Sequence, residues 1–283
     1  MTFFGTDTSV PMDDRGLAYG DGLFETILVR GGVPILWEHH LSRLRRGCEV
    51  LGFPCPSLTS LEAAFSSLNT APHVLNVVKI IVTRGSGGRG YMPPANPQPR
   101  LLVHHSDFAP QQSRWSVVNR VRISRLRLGH QPQLAGIKHL NRLENVLARQ
   151  ELTHANADRQ NSGEYVEGIL ADFNGALIEA TAMNLCWHEK GKWFTPALAS
   201  CGVAGTLRAA LIEAGILTES SLTLSNIAQA EAFCLLNSVQ GVWPIQTIDD
   251  EYNEPLWIAQ PFPLHHTLQR EAHRLLGYET VEL

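Results

Sequence analysis

Leu134-Ala135-Gly136-Ile137-Lys138-His139-Leu140-Asn141-Arg142-Leu143-Glu144 is the stretch on which the reading of the fold turns. One lysine follows a glycine-containing loop. The spacing after it predicts a helix from about His139 to Ala155. A helix N-terminus carries partial positive charge, which disfavours an ammonium, and burial acts in the same direction. A lysine with a lowered pKa forms Schiff bases with aldehydes. Most lysines are solvated surface groups, so Lys138 needs partners elsewhere in the chain.

The composition is that of a globular enzyme. The chain has 283 residues, 44% hydrophobic and 18% charged, enough for one large or two moderate domains. A formal net charge of −4 gives no nucleic-acid footprint. Arginines cluster at Arg43, Arg45 and Arg46 and at Arg120, Arg122, Arg125 and Arg127, but apolar residues interrupt them, as in faces or anion pockets. The five cysteines are scattered with no Cys-x-x-Cys pair, which points to buried thiols in a reducing cytoplasm rather than disulfides or zinc. The adjacent histidine pairs 39–40, 104–105 and 265–266 diverge in direction and make poor metal sites. No apolar run is long enough to span a membrane, and the start has no signal-peptide pattern.

Working outward, the elements are mixed without regular βαβ spacing, which predicts an α+β fold. Leu23–Arg30 and Val33–Leu36 read as strands around a Gly31-Gly32 hairpin turn. Trp37–Leu51 has helical spacing at Leu41, Leu44, Cys48 and Leu51, and Gly52 stops it. Leu58–Leu68 reads as a second helix, Val74–Val82 and Leu101–His105 as strands, and the Gly- and Pro-rich stretch 84–99 as a loop. Linker composition sets the boundaries: a small domain at 1–107, a linker at 108–114 and a larger domain at 115–283. In the larger domain strands are expected from Trp115 to Ile123, on either side of Phe173-Asn174-Gly175, at 184–187 and 193–195, near Leu222, and at 233–236 and 242–248. Helices are expected at 206–214 and 264–276.

Several side chains carry possible chemistry. Glu179 lies in a mostly apolar stretch after a turn. An acid there is either an edge or capping residue or the partner of a protonated heteroaromatic nitrogen. Gly202-Val203-Ala204-Gly205-Thr206-Leu207-Arg208 runs a turn into a helix, whose first N–H groups suit a phosphate. Arg43 sits on a helix with an apolar opposite face, as a solvated side chain or a phosphate clamp. Arg84-Gly85-Ser86-Gly87-Gly88-Arg89-Gly90-Tyr91 lacks the Gly-Lys-Ser/Thr ending of a P-loop. It suits an anionic small molecule approached by a loop.

Taken in order, these segments resemble the fold type IV, class IV aminotransferase-like family of pyridoxal-phosphate enzymes. The resemblance runs from Tyr19-Gly20-Asp21-Gly22-Leu23-Phe24-Glu25 through His40–Leu44, Lys138, Glu179 with Asn184, and Gly202–Arg208. Within the family, the strings 84–91 and 134–144 are similar to those of aminodeoxychorismate lyases. The resemblance implies a small α/β N-terminal domain and a larger, cofactor-binding C-terminal domain with a barrel-like sheet. It implies that Lys138 joins pyridoxal 5'-phosphate as an aldimine and then acts as the base. It implies Glu179 at the pyridine nitrogen, and a phosphate held by Arg43, Thr206, Leu207, Asn237 and Ser238. The activity implied is elimination of pyruvate from 4-amino-4-deoxychorismate to give 4-aminobenzoate, a step of folate biosynthesis, in a cytoplasmic homodimer. Arg84 and Arg89 are the candidates for the substrate carboxylates. Glu25 after Phe24 also suits the family's transaminases, so a D-amino-acid or branched-chain aminotransferase is the alternative.

Overall fold

The computed structural model describes residues 9–66, 68, 70–116, 119–157, 159, 163–260 and 264–278. The chain divides into two compact units, Met1–Ala109 with Ile137–Asn141, and Pro110–Gly136 with Arg142–Leu283. The short segment around Lys138 therefore leaves the larger unit and joins the smaller one. The contiguous domain read at 115–283 did not anticipate this.

The first unit is built on a four-stranded antiparallel sheet. Its strands are β1 (Gly22–Arg30), β2 (Val33–Pro34), β3 (Leu75–Thr83) and β4 (Arg100–Asp107), in the order β2-β1-β3-β4. The β1–β2 turn works because Gly31 and Gly32 both take positive φ, 54° and 79°, as a type I′ turn demands. β2 is shorter than expected: Pro34 offers no N–H to extend the ladder, and Leu36 turns left-handed at φ 53°. Helix α1 (Arg15–Tyr19) precedes the sheet. Helix α2 (Trp37–Leu51) buries Leu41, Leu44 and Cys48 and ends at Gly52, with φ 70°. It packs on β1 so closely that a Cβ on Gly47 would stand 2.7 Å from the Leu23 side chain. Helix α3 (Leu58–Glu62) and a 3₁₀ turn at Ala63–Phe65 replace the single longer helix read there.

The second unit holds a closed six-stranded barrel. Strands β5 (Asn119–Leu128), β6 (Tyr165–Asp172), β7 (Leu177–Ala180), β8 (Asn184–Glu189), β11 (Ala232–Asn237) and β12 (Gly241–Asp249) form the ring. Pairing of Glu179 with Asn184 joins β7 to β8 and closes it. β9 (Lys192–Pro196) and β10 (Leu217–Ser220) extend the sheet from β8, and β13 (Pro255–Ile258) adds to β12. β6 and β7 are buried at every residue, as expected for strands covered on both faces. Ala148 of helix α4 (Leu143–Ala157) packs with Leu128, Leu170, Ile178 and Cys201. Truncating a core leucine such as Leu170 to alanine typically costs about 2–5 kcal/mol. Helices α5 (Thr206–Glu213) and α6 (His266–Leu276) complete the unit. The strand read near Leu222 lies at Leu217–Ser220 instead, and β13 and α1 were not foreseen. Among the described residues, no helix is long and apolar enough to cross a membrane.

Candidate active site

Lys138 does not stand at a helix start. Helix α4 begins at Leu143, and the segment 137–140 is joined to the start of β1 by an isolated antiparallel bridge between His139 and Leu23. The Phe24 N–H donates to the Lys138 carbonyl at 2.9 Å, and the Leu140 N–H donates to the Gly22 carbonyl at 3.0 Å. Lys138 therefore lies outside the reach of the α4 dipole, whose effect fades within the first turn. Lys138 is instead fixed by backbone pairing, with Nζ 4.3 Å from the Phe24 ring centroid. Lys79 Nζ stands 5.2 Å from the same centroid.

Each residue of the motif 20–25 now has a physical task. Gly20, at φ 66°, caps α1 in the left-handed region. Gly22 lets two strands close in: a Cβ there would lie 2.5 Å from the Val82 carbonyl and 2.9 Å from Leu140 Cδ1. Asp21 anchors two arginines, accepting from Arg15 Nε at 2.9 Å and Arg84 Nε at 2.7 Å. Burial opposes the charge on Asp21, but hydrogen bonds from Arg84 and Arg15 outweigh it and lower its pKa. Phe24 faces Lys138. Glu25, 2% exposed, accepts from Arg43 Nε at 2.8 Å, Arg43 Nη2 at 2.5 Å and His40 Nδ1 at 2.6 Å.

Burial would raise the Glu25 pKa, yet the Arg43 charge and its hydrogen bonds, with His40, hold it at about 2. His40 shifts down: burial dominates, and the Arg43 and Lys138 charges reinforce it against the pull of Glu25. Glu25 occupies two of the five N–H donors of Arg43. Arg43 is therefore a locked guanidinium, not a solvated one.

Arg84 does not take the substrate-facing place that its loop composition suggests: it is 7% exposed and is used inside its own unit. Nε and Nη2 grip Asp21, while Nη2 and Nη1 donate to the Leu51 and Gly52 carbonyls at 2.6 and 3.0 Å, closing the end of α2. Arg15, which sequence reasoning missed, holds the glycine-rich loop. Its Nη1 and Nη2 donate to the carbonyls of Gly87, Gly90, Tyr91 and Met92. Arg89 rides on that loop with an exposed side chain.

In the second unit, Glu179 is 3% exposed on β7. Its Oε2 accepts from the Val203 N–H at 2.7 Å, and its Oε1 accepts from Asn145 Nδ2 at 3.3 Å. Asn145 was not foreseen; it also donates to the Thr181 carbonyl at 3.1 Å. The turn 202–205 is held from three directions. The Gly136 N–H donates to the Gly202 carbonyl at 2.9 Å, the Ala204 N–H donates to the Gly136 carbonyl at 3.1 Å, and Asn184 Nδ2 donates to the Val203 carbonyl at 2.8 Å. Gly205 caps α5 with no side chain, and a Cβ there would sit 1.9 Å from Asn184 Oδ1. The helix begins with buried Thr206 and Leu207, a geometry that presents N–H dipoles to an anion.

Asn237 shapes the β11–β12 turn. Its Oδ1 accepts from the Val239 and Gln240 N–H groups at 3.0 and 2.7 Å, and its Nδ2 donates to the Ala182 carbonyl at 3.3 Å. Ser238 beside it is 9% exposed and carries a hydroxyl donor.

Comparison with known proteins adds an independent finding. The sequence model of the class IV aminotransferases matches residues 22–248. Aminodeoxychorismate lyase of Vibrio harveyi is 33% identical over 254 residues, 87% of this chain and 90% of that one. D-alanine aminotransferase of Bacillus licheniformis is 22% identical, covering 98% of this chain and 95% of its own. The crystal structure of 4-amino-4-deoxychorismate lyase from Pseudomonas aeruginosa superposes with a TM-score of 0.81 at 38% identity, covering 95% of this chain and 96% of that one.

Proposed function

The chain belongs to the class IV aminotransferase family, and within it we propose a pyridoxal-phosphate-dependent carbon–oxygen lyase that converts 4-amino-4-deoxychorismate to 4-aminobenzoate and pyruvate. The observation that carries the lyase over a transaminase is near-full-length likeness to two lyases at 33% and 38% identity, against 28% for a branched-chain and 22% for a D-alanine aminotransferase.

The residues present fit the cofactor. A helix start capped only by glycine suits its phosphate, the buried Glu179 suits a protonated ring nitrogen, and Lys138 supplies an amine. When bound, pyridoxal phosphate supplies an aldehyde for the substrate amine and a protonated ring that takes up electron density. In this reading Lys138 Nζ would hold the cofactor and, as a base, would take the proton from the amine-bearing carbon of the substrate. Glu179 would keep the proton on the ring nitrogen. The Thr206 and Leu207 amides, the Ser238 hydroxyl and Arg43 would hold the phosphate, with Glu25 fixing Arg43 and Asn237 fixing the turn that carries Ser238. The enolpyruvyl group leaves from the neighbouring carbon, and the ring it leaves becomes aromatic. No second substrate is then required. Arg89 is the remaining loop candidate for a substrate carboxylate. The enzyme acts as a homodimer in the cytoplasm, a state that sedimentation of the purified protein tests.

Product analysis with enzymatically generated aminodeoxychorismate is the deciding experiment. Equal amounts of 4-aminobenzoate and pyruvate should appear without a keto acid. Turnover that requires an amino acid and a keto acid together would mean transamination, the second reading, which Glu25 after Phe24 and the D-alanine aminotransferase relatives favour. Lys138→Ala should still take up pyridoxal phosphate reversibly but lose turnover. Near-normal rates in that variant would remove Lys138 from the mechanism.

A further inference from the structure

A second buried acid stands behind Glu179. Glu167 lies on β6 and is 4% exposed. Its Oε2 accepts from the Thr181 N–H at 3.1 Å and from the Gly168 N–H at 3.3 Å, and the Thr181 hydroxyl donates to the same oxygen. Its Oε1 accepts from Arg149 Nη1 at 3.2 Å. Thr181 opens the turn between β7 and β8, which the Ala180 N–H closes on the Met183 carbonyl at 2.8 Å. The Thr181 carbonyl accepts from Asn145 Nδ2 at 3.1 Å, and the same Nδ2 donates to Glu179 Oε1 at 3.3 Å. We propose that Glu167 is a positioning residue: it holds Thr181, Thr181 holds Asn145, and Asn145 sets the carboxylate of Glu179. Its effect on function rests on the role proposed above for Glu179 at the cofactor ring.

The relay follows from donor counting. A carboxamide nitrogen has two hydrogens, and Asn145 gives one to the Thr181 carbonyl and one to Glu179. With one acceptor displaced, the amide is free to turn about its last torsion and no longer fixes the other. The Thr181 carbonyl must therefore stay in place. Ala182 and Met183, the next residues of the turn, have no hydrogen-bonding group that could anchor it from within. The anchors come from outside: Glu167 on one side, and Asn237 Nδ2, which donates to the Ala182 carbonyl at 3.3 Å, on the other. A binding constellation needs its groups held within about 0.5 Å, which is the service a supporting side chain performs.

The place calls for an acceptor oxygen more than for a charge. Three donors converge on Oε2. Burial dominates at Glu167 and raises its pKa, against the Thr181 hydroxyl and the Arg149 charge. Arg149 has a side chain 54% exposed and can turn to water. Glutamine can present an oxygen to the same three donors. Leucine presents none, while the Thr181 N–H keeps its bond to the Gly168 carbonyl at 3.1 Å and the strand pairing survives.

Pyridoxal phosphate titrated into the apoprotein and read by visible absorbance tests the proposal. Glu167→Leu should weaken binding by about tenfold, the size seen when the outer-shell partner of a metal ligand is lost. Glu167→Gln should bind as the unaltered chain does, and Thr181→Val should fall between the two. The coupling is decisive. In a Glu179→Gln background, Glu167→Leu should lose most of its effect, because the charge it positions is gone, whereas unrelated structural damage would add. The proposal is overturned if Glu167→Leu binds normally, if Glu167→Gln is equally impaired, or if the two changes add. Should Glu167→Leu fail to fold, Thr181→Val in the same two backgrounds decides. An unaltered chain that takes up no pyridoxal phosphate would sink the cofactor reading and this inference together. Normal uptake with additive variants would sink this inference alone.

Discussion

Glu25 and Glu179 are both strand glutamates, 2% and 3% exposed, yet they keep different company. Glu25 is answered by a full guanidinium and a histidine, and its pKa sits at about 2. Glu179 accepts from a backbone N–H and a carboxamide. Neutral donors stabilise a carboxylate without cancelling its charge. These two donors fix the orientation of the Glu179 carboxylate, whereas Glu25 is set directly against the Arg43 charge. On the proposed function, the contrast separates a carboxylate that positions another residue from one that takes part in chemistry.

Removing the Glu25 charge should break the first half of this comparison with the largest effect. Glu25→Gln strands a buried guanidinium, a change that typically costs about 3–5 kcal/mol. Urea denaturation measures it, and a loss under about 1 kcal/mol would show that Arg43 finds other compensation.

Glu179→Gln probes the other half. It should lower kcat by about 10²–10³-fold, or about 2.7–4 kcal/mol, the size reported on losing one preorganised electrostatic group. The urea midpoint should move little, because an amide can still accept from Val203. If the stability loss falls on Glu179 and the rate loss on Glu25, the roles are reversed.

The pH dependence sharpens the same contrast. The folded-state pKa of Glu25, about 2, lies below its ordinary value of 4.5. A depressed carboxylate pKa contributes stability above the unfolded value and loses it as pH falls through the folded one. Glu25 should therefore contribute about 3 kcal/mol above pH 4.5 that fades between 4.5 and about 2. Acid titration of the unfolding free energy should show this limb, and Glu25→Gln should flatten it.

Local patterns carried much of the fold. Helix α2 begins and ends where the spacing of Leu41, Leu44 and Cys48 and the stop at Gly52 place it. The Gly31-Gly32 turn was legible because few other residue pairs take positive φ twice in succession. Lys138 was visible as a residue but misplaced in structure. Its backbone partner, Phe24, and the Gly22 that pairs with Leu140 lie more than a hundred residues away in sequence, and periodicity within a window holds no trace of such pairing. Arg84 was misread for the same reason. Its anchors, Asp21, Leu51 and Gly52, are distant in sequence, so its loop composition suggested a ligand while the fold had already supplied partners. Asn145 left only a faint signal, one carboxamide among polar residues of an expected helix.

The smallest expected effect concerns Arg89. Arg15, Arg43 and Arg84 of the first unit are each paired with a carboxylate, either Asp21 or Glu25. The donors of Arg84 go to Asp21 and to the Leu51 and Gly52 carbonyls, so the exposed Arg89 is the better candidate on that loop. Arg89→Ala should change stability by no more than about 0.5 kcal/mol, as surface substitutions do. It should raise KM for aminodeoxychorismate by an amount worth about 1.5–3 kcal/mol, the typical loss of one charge-assisted contact, with kcat nearly unchanged. Steady-state kinetics of the variant decides it. An unaltered KM would leave the substrate carboxylates to cations outside this loop, with Lys79, already over the Phe24 ring, the next to substitute.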